Sequence, residues 1–206
     1  RTARAALALE PANFQVIGLL AGIYRDRYDF AAIVALLAPV TREDATPAGA
    51  RIAEFVRLLA EWGGAQQQQG DTAAAVRTFE RARRLLPEAA PVAVALAQAH
   101  LLAGQFGEAQ RVARDARVVG KDDLGLLRVE AMAGVKAGRS ADAVGFLERA
   151  IGDRRSQPDA AFVLADVYEA AGRHDDAIKA VTALGGAAPA DDAVAFRLAA
   201  AYEALA

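Results

Sequence analysis

The chain of 206 residues carries 24 basic and 26 acidic side chains, a net charge of −2 that makes no general electrostatic case for binding nucleic acid or an anionic membrane. It has no cysteine, which excludes disulfides and thiolate metal sites, and no apolar run of about 18 residues that would span a bilayer. Hydrophobic residues make up 54%, a share inflated by alanine, a strong helix former; the Ala- and Arg-rich usage suggests a high-GC bacterial source.

In chain order, residues 1–10 lead into Pro11 and read as the tail of a helix closed by proline. The segment 1–13 is expected to be the end of a truncated repeat, and the sequence a fragment of a longer protein. Residues 13–28 are predicted to form a helix with Leu20, Ala21 and Tyr24 in phase, and residues 29–37 its partner. The stretch 38–45 connects them to a longer helix predicted over 47–69, with Thr46 and Pro47 as N-cap and first helical position. Beyond this point a pattern repeats. Gly70, Gly104, Gly138 and Gly172 are spaced by 34 residues, and so are Ala75, Ala109, Ala143 and Ala177. Small residues also recur at Gly63, Ala97, Ala131, Ala165 and Ala199. A fixed period of this length marks a repeat array.

Each unit reads as two helices. The shared glycine ends the first, where a left-handed residue is needed at no steric cost. Asp71 or Thr72, and Ser140, are suited to cap the second. The small residues let the two helices approach closely, and larger apolar ones fill the remaining gaps: Trp62, Leu96, Leu164 and Leu198 in first helices, Phe79, Leu147 and Val181 in second helices. So short a pair cannot bury its apolar face alone and must stack on neighbours. On this phase the chain is a single array over 1–206. An irregular repeat spans 14–55, regular repeats span 56–89, 90–123, 124–157 and 158–191, and a final single helix spans 192–206. The irregular unit measures 42 residues from Phe14 to Val56 instead of 34, and its extra length falls in 38–45 and the long following helix. All seven prolines fall at predicted connections or first turns, which supports these boundaries independently of the glycines.

The residues Leu59, Trp62, Gly63, Gly70, Ala75, Phe79, Ala82 and Pro87, and again Leu164, Ala165, Tyr168, Gly172, Ala177 and Pro189, resemble the tetratricopeptide repeat (TPR) pattern. The resemblance covers nearly the whole chain. It departs from the family at Gln66 and Gly134, which stand in place of tyrosine, at Ala113 in place of an aromatic residue, and at Glu130 in a position usually apolar. What the resemblance implies is an all-α, right-handed superhelical solenoid of about eleven or twelve helices, with first helices lining a concave face. The second, fifth, ninth and twelfth positions of each unit would face inward. They include Val94, Gln98 and Leu101, then Arg128, Met132 and Val135, then Asp159, Phe162, Asp166 and Glu169, and finally Phe196 and Glu203. Apolar residues rimmed by charge in such a groove suggest a binding strip. The candidate partner-binding set is therefore Gln98, Leu101, Arg128, Met132, Phe162, Asp166 and Phe196. The Lys and Asn pattern with which chaperone-binding members grip a C-terminal carboxylate is not present. Lys136 is the only lysine on any predicted first helix from Phe14 on.

No catalytic, cofactor or metal site is expected. His100 stands where the family has tyrosine and reads as a packed structural residue; His174 opens a second helix at the surface. Ser140 and Ser156 lack a nucleophile-elbow context. Gly120-Lys121 lacks the upstream glycine and following hydroxyl residue of a phosphate loop. Asp122, Asp123, Asp191 and Asp192 sit at helix starts, where capping explains them. Arg77, Arg81, Arg83 and Arg84 cluster on one second helix; favourable placement at its C-terminal end explains them, with an acidic partner or an anionic segment elsewhere in the parent protein as the alternative.

Function therefore divides three ways. The leading reading is a non-enzymatic scaffold that binds a peptide or partner segment in its groove. The second is a regulatory or targeting region of a larger enzyme or of an envelope or secretion assembly. The third, RNA binding, is disfavoured by net charge and by Asp159, Asp166 and Glu169 on the inner wall. Partners are expected to be proteins, not nucleic acid, with self-association through exposed end repeats as a further route.

Overall fold

A computed structural model describes residues 13–42, 45, 47, 49, 51–119 and 123–184. These residues form ten α-helices and one 3-10 turn, with no strand among them. The chain divides into two compact units, one ending at Gly104 and the other beginning at Gln105. The division falls inside the expected 90–123 repeat. The segments 1–12 and 185–206, with the truncated repeat and the final single helix expected there, lie outside the described residues.

The first unit contains α1 (Phe14–Asp26), α2 (Phe30–Leu37), α3 (Arg51–Gln68), α4 (Thr72–Leu85) and α5 (Ala90–Leu102). Side-chain caps set several of the starts. Asn13 accepts from the N–H groups of Gln15 and Val16, Asp29 from Ala32, and Asp71 from Ala74 at 3.0 Å. Each of these bonds satisfies an amide that the helix cannot. Asp71, and not Thr72, is thus the cap of α4. The helix expected from Pro47 begins instead at Arg51; Gly49, at φ +58°, turns the chain between them. Buried Ile17, Ile33, Leu37 and Leu58 form one core, and Phe55, Val56, Leu59, Ala82 and Val92 another.

The second unit contains α6 (Phe106–Val119), α7 (Leu124–Lys136), α8 (Ser140–Ile151), the 3-10 turn Gly152–Ser156, α9 (Pro158–Ala170) and α10 (His174–Thr182). Asp123 caps α7, accepting from Gly125 at 2.8 Å and Leu126 at 3.1 Å. Ser140 is the first residue inside α8, not its cap. Arg139 holds the cap position, without a side-chain bond to the helix. One continuous core runs from Leu127 through Val144, Leu147, Ala161 and Leu164 to Val181.

The periodic glycines behave alike in both units. Gly70 adopts φ +85° and Gly138 φ +79°, and the amide just beyond each bonds back to a carbonyl five residues earlier, Asp71 to Gln66 and Arg139 to Gly134, both at 2.9 Å. The left-handed residue is what brings that amide round to the helix's last carbonyls. In the first hairpin Tyr28 occupies the corresponding place at φ +56°.

Close helix approach is carried by small residues, though not always at the same point. In the α3–α4 hairpin Gly63 meets the Phe79 ring, and a Cβ at Gly63 would lie 2.7 Å from it. In α7–α8 it is Gly134 that lies against Ala143, with a Cβ there 2.8 Å from the alanine methyl.

Candidate functional site

The inner positions expected on first helices are described here unit by unit. In the first unit Gln98 and Leu101 lie on α5 and are both half-buried. In the second unit α7 and α9 pack together and bring Arg128, Met132, Phe162 and Asp166 onto neighbouring helices. Arg128 Nε donates to Asp166 Oδ2 at 2.8 Å, and each side chain is 39% exposed. These two charged members of the expected binding strip thus pair with each other. Met132 is half-buried and packs against the second unit's core. Phe162 departs from expectation: it is 5% exposed and belongs to that core. A large aromatic side chain gains more by folding into the packed interior than by standing in water. Val135, also expected to face inward, is buried too. Phe196 lies outside the described residues.

The histidines fall where the sequence puts them. His100 is buried and His174 is exposed at the start of α10, with Nδ1 2.9 Å from Glu169 Oε2. Among the described residues there is no cluster of three or more metal-ligating side chains, and no helix is long and apolar enough to cross a membrane.

The positions where the family keeps tyrosine are more informative. Tyr168, on α9, keeps it: the hydroxyl donates to Glu148 at 2.8 Å and the Arg173 guanidinium lies 4.9 Å from the ring centre. Burial, and then its bond to the Glu148 carboxylate, push this phenol up to about 12. Where Gln66 replaces tyrosine, its amide oxygen accepts from Thr78 Oγ1 at 2.8 Å, and both side chains are buried. Beside them opens a pocket of about 720 Å³ whose walls include Thr41, Arg42, Trp62, Arg77 and Arg81. Arg81 is fixed by donating to the carbonyl oxygens of Thr41 and of Ala45, the latter at 2.6 Å, and by lying 5.2 Å from the Phe55 ring centre. Thr41 and Arg42, from the stretch that lengthens the irregular repeat, thereby form part of the wall.

Where Gly134 replaces tyrosine, a smaller pocket of about 190 Å³ is lined by charges of both signs, Arg114 and Arg139 with Glu130 and Asp142. Glu130, the acid at a usually apolar position, is buried and accepts from Arg117 Nη1 at 2.6 Å and Arg114 Nε at 3.4 Å. Gln110 donates to the Glu130 carbonyl oxygen at 3.3 Å and accepts from Arg139. These side chains do the filling that the missing ring would have done. The sequence marks both departures from the family but gives no sign of the pockets beside them.

The family model for the tetratricopeptide repeat matches residues 66–125 and 135–204, more than half of the chain. The chain belongs to the tetratricopeptide repeat family. Solved structures of similar fold include TTC0263, a thermophilic TPR protein of Thermus thermophilus. It is 18% identical, with a TM-score of 0.66 over 92% of this chain and 98% of that one. A tetratricopeptide repeat protein from Parabacteroides merdae ATCC 43184 is 15% identical with a TM-score of 0.63, covering 92% of this chain and 72% of that one. MamA 41-end from Desulfovibrio magneticus RS-1 is 14% identical with a TM-score of 0.62, covering 84% and 93%. At these identities the likeness shows the fold alone. A search of the curated proteins returned no match. TPR arrays are in general protein-interaction scaffolds without catalysis of their own, and that coarse function comes with the family.

Proposed function

We propose that this TPR chain holds a segment of a partner protein along its first-helix face, and that within the second unit the α7–α9 surface is a contact region. The observation that carries the reading is the Arg128–Asp166 pair beside half-buried Met132. A half-exposed ion pair is worth little to the free chain, since solvent screens it. It is therefore cheap to re-pair with a ligand's own charges, while Met132 supplies adaptable apolar contact. Buried Phe162 supports that surface from beneath. The test is co-precipitation from the source organism with Met132→Glu and Arg128→Glu together, folding being checked by circular dichroism. Loss of the partners retained by the parent chain supports the reading; full retention overturns it.

A second reading, self-association through an exposed apolar patch of the first unit, rests on Leu19 and Ile23. They are one turn apart on α1 and 61% and 38% exposed. Sedimentation velocity of Leu19→Glu with Ile23→Glu decides it, because a higher-order species that persists in that variant does not use this face.

A further inference from the structure

The repeat that follows shows what the pocket beside Gly134 lacks. There Tyr168 fills the end of its hairpin, with the Arg173 guanidinium 4.9 Å from the ring centre and Glu148 accepting from the hydroxyl. One period of 34 residues earlier, Gly134 stands for Tyr168, Arg139 for Arg173, Arg114 for Glu148 and Ala143 for Ala177. The arginine that packs on the ring is kept and the ring is gone. The chain cannot supply it from position 134, where even a Cβ would lie 2.8 Å from the Ala143 methyl and 3.1 Å from Gln110 Nε2.

Buried Glu130 and half-buried Gln110 occupy part of the space, tied by the bond from Gln110 to the Glu130 carbonyl oxygen. About 190 Å³ stays open. A cavity of roughly 150 Å³ holds a benzene molecule, so the space suits one six-membered ring. Arg139 is exposed and donates to Gln110, which orients its guanidinium and leaves its charge. Half-buried Phe146 is in the same wall, and the Arg117 guanidinium already lies 5.0 Å from its ring centre. A guanidinium attracts the face of an aromatic ring, and two rings favour each other edge-on or offset. Among the described residues the wall carries two arginines, Arg114 and Arg139, and two carboxylates, Glu130 and Asp142. A ligand therefore gains little from net charge there, while a phenol hydroxyl finds carboxylates able to accept from it.

We propose that this pocket is a socket for one aromatic side chain, a tyrosine carried by a segment of a partner protein, which takes the part that Tyr168 plays in the following repeat. It rests on the scaffold reading for the ring's being on a protein segment, and on none of the residues of the α7–α9 contact surface. A nucleobase also has a π face, but a nucleic-acid backbone asks for a positively charged groove beside it, and this wall carries both signs.

The test is an NMR titration of the whole isotope-labelled chain with a short Gly-Ser peptide that carries one central tyrosine. The same peptide with leucine in that place, and adenosine, are titrated in parallel. A single ring supplies only weak binding, which such a titration reads at millimolar peptide. The expected result is saturable shifts of the Gly134 amide and Ala143 methyl signals with the tyrosine peptide and none with the leucine one. Arg139→Gln, at an exposed position and with folding checked by circular dichroism, is expected to weaken that binding about threefold or more. Met132→Glu is expected to leave it unchanged. The socket is ruled out by the absence of saturable shifts at Gly134 and Ala143. It is equally ruled out by leucine or adenosine matching tyrosine, or by binding that Arg139→Gln leaves intact. Loss of partners in Met132→Glu with Arg128→Glu while the tyrosine peptide fails to bind sinks the socket alone; the reverse pattern sinks only the α7–α9 surface.

Discussion

The α3–α4 and α7–α8 hairpins have the same length of repeat behind them and both lack the family's tyrosine, yet they solve the loss differently. In α3–α4 the helices touch where Gly63 receives the Phe79 ring, and Gln66, one turn further on, is left to bond Thr78 beside an open basic pocket. In α7–α8 the close contact has moved to the tyrosine position itself, where Gly134 lies against Ala143. The polar filling comes from Gln110 and Glu130, and the pocket that remains is small and charge-balanced. The lesson is that one helix crossing leaves room for one close contact. Where that contact sits decides whether the neighbouring position stays open.

The largest test restores tyrosine in both places. Gly134→Tyr must push a ring into a backbone approach already too tight for a Cβ, and is expected to cost about 3 kcal/mol or more. Gln66→Tyr has open volume beside it and loses one hydrogen bond, so its cost is expected to stay within about 1 kcal/mol. Equal melting temperatures for the two variants would break the comparison. Next, Glu130→Ala leaves the Arg117 guanidinium without its carboxylate and is expected to cost about 2–3 kcal/mol by denaturant unfolding. Thr78→Val in the other hairpin is expected to cost about 1 kcal/mol, because a neutral bond is lost in place of a charged one.

The hairpin end that keeps tyrosine sharpens the contrast through pH. The phenol of Tyr168 is raised to about 12. Its folded form thus holds the proton above the usual value near 10, where an unfolded chain gives it up. Its contribution to stability is present below that usual value and is lost as pH rises through about 12. Alkaline absorbance titration is expected to show a late phenol component that disappears in Tyr168→Phe. The smallest effect concerns Tyr28, which takes the glycine's place at φ +56°. Tyr28→Gly relieves a left-handed conformation costing about 1–2 kcal/mol but loses an edge-on contact with Phe30, at 6.4 Å between ring centres. The net gain expected is below about 1 kcal/mol, read as a slightly higher Tm.

The turns were legible in the sequence because left-handed backbone has a chemical signature: Gly70, Gly104, Gly138 and Gly172 all adopt positive φ. The caps at Asp71 and Asp123 were legible for a similar reason, since a short side-chain acceptor next to a helix start has one evident use. Phe162 was misjudged because a repeat position states direction from the helix axis, not the reach of a large ring toward its neighbours. The start of α3 was misjudged because Thr46 and Pro47 form a credible opening, and nothing local reveals that the chain turns again at Gly49. The basic pocket was out of reach altogether. It depends on Arg81 meeting carbonyl oxygens 40 and 36 residues earlier, a match with no local pattern.

That same arginine concentrates risk in one bond network. Thr41 and Ala45, which lie between α2 and α3, are both gripped by the Arg81 guanidinium of α4, and Arg42 lies exposed between those anchors. A trypsin-like protease needs several residues of extended, unbound chain around its target, so cleavage after Arg42 requires that Arg81 let go. Limited digestion of Arg81→Leu is expected to nick at Arg42 well before the parent does. The half-life of that one peptide bond would then act as a clock for the fastening of the whole segment.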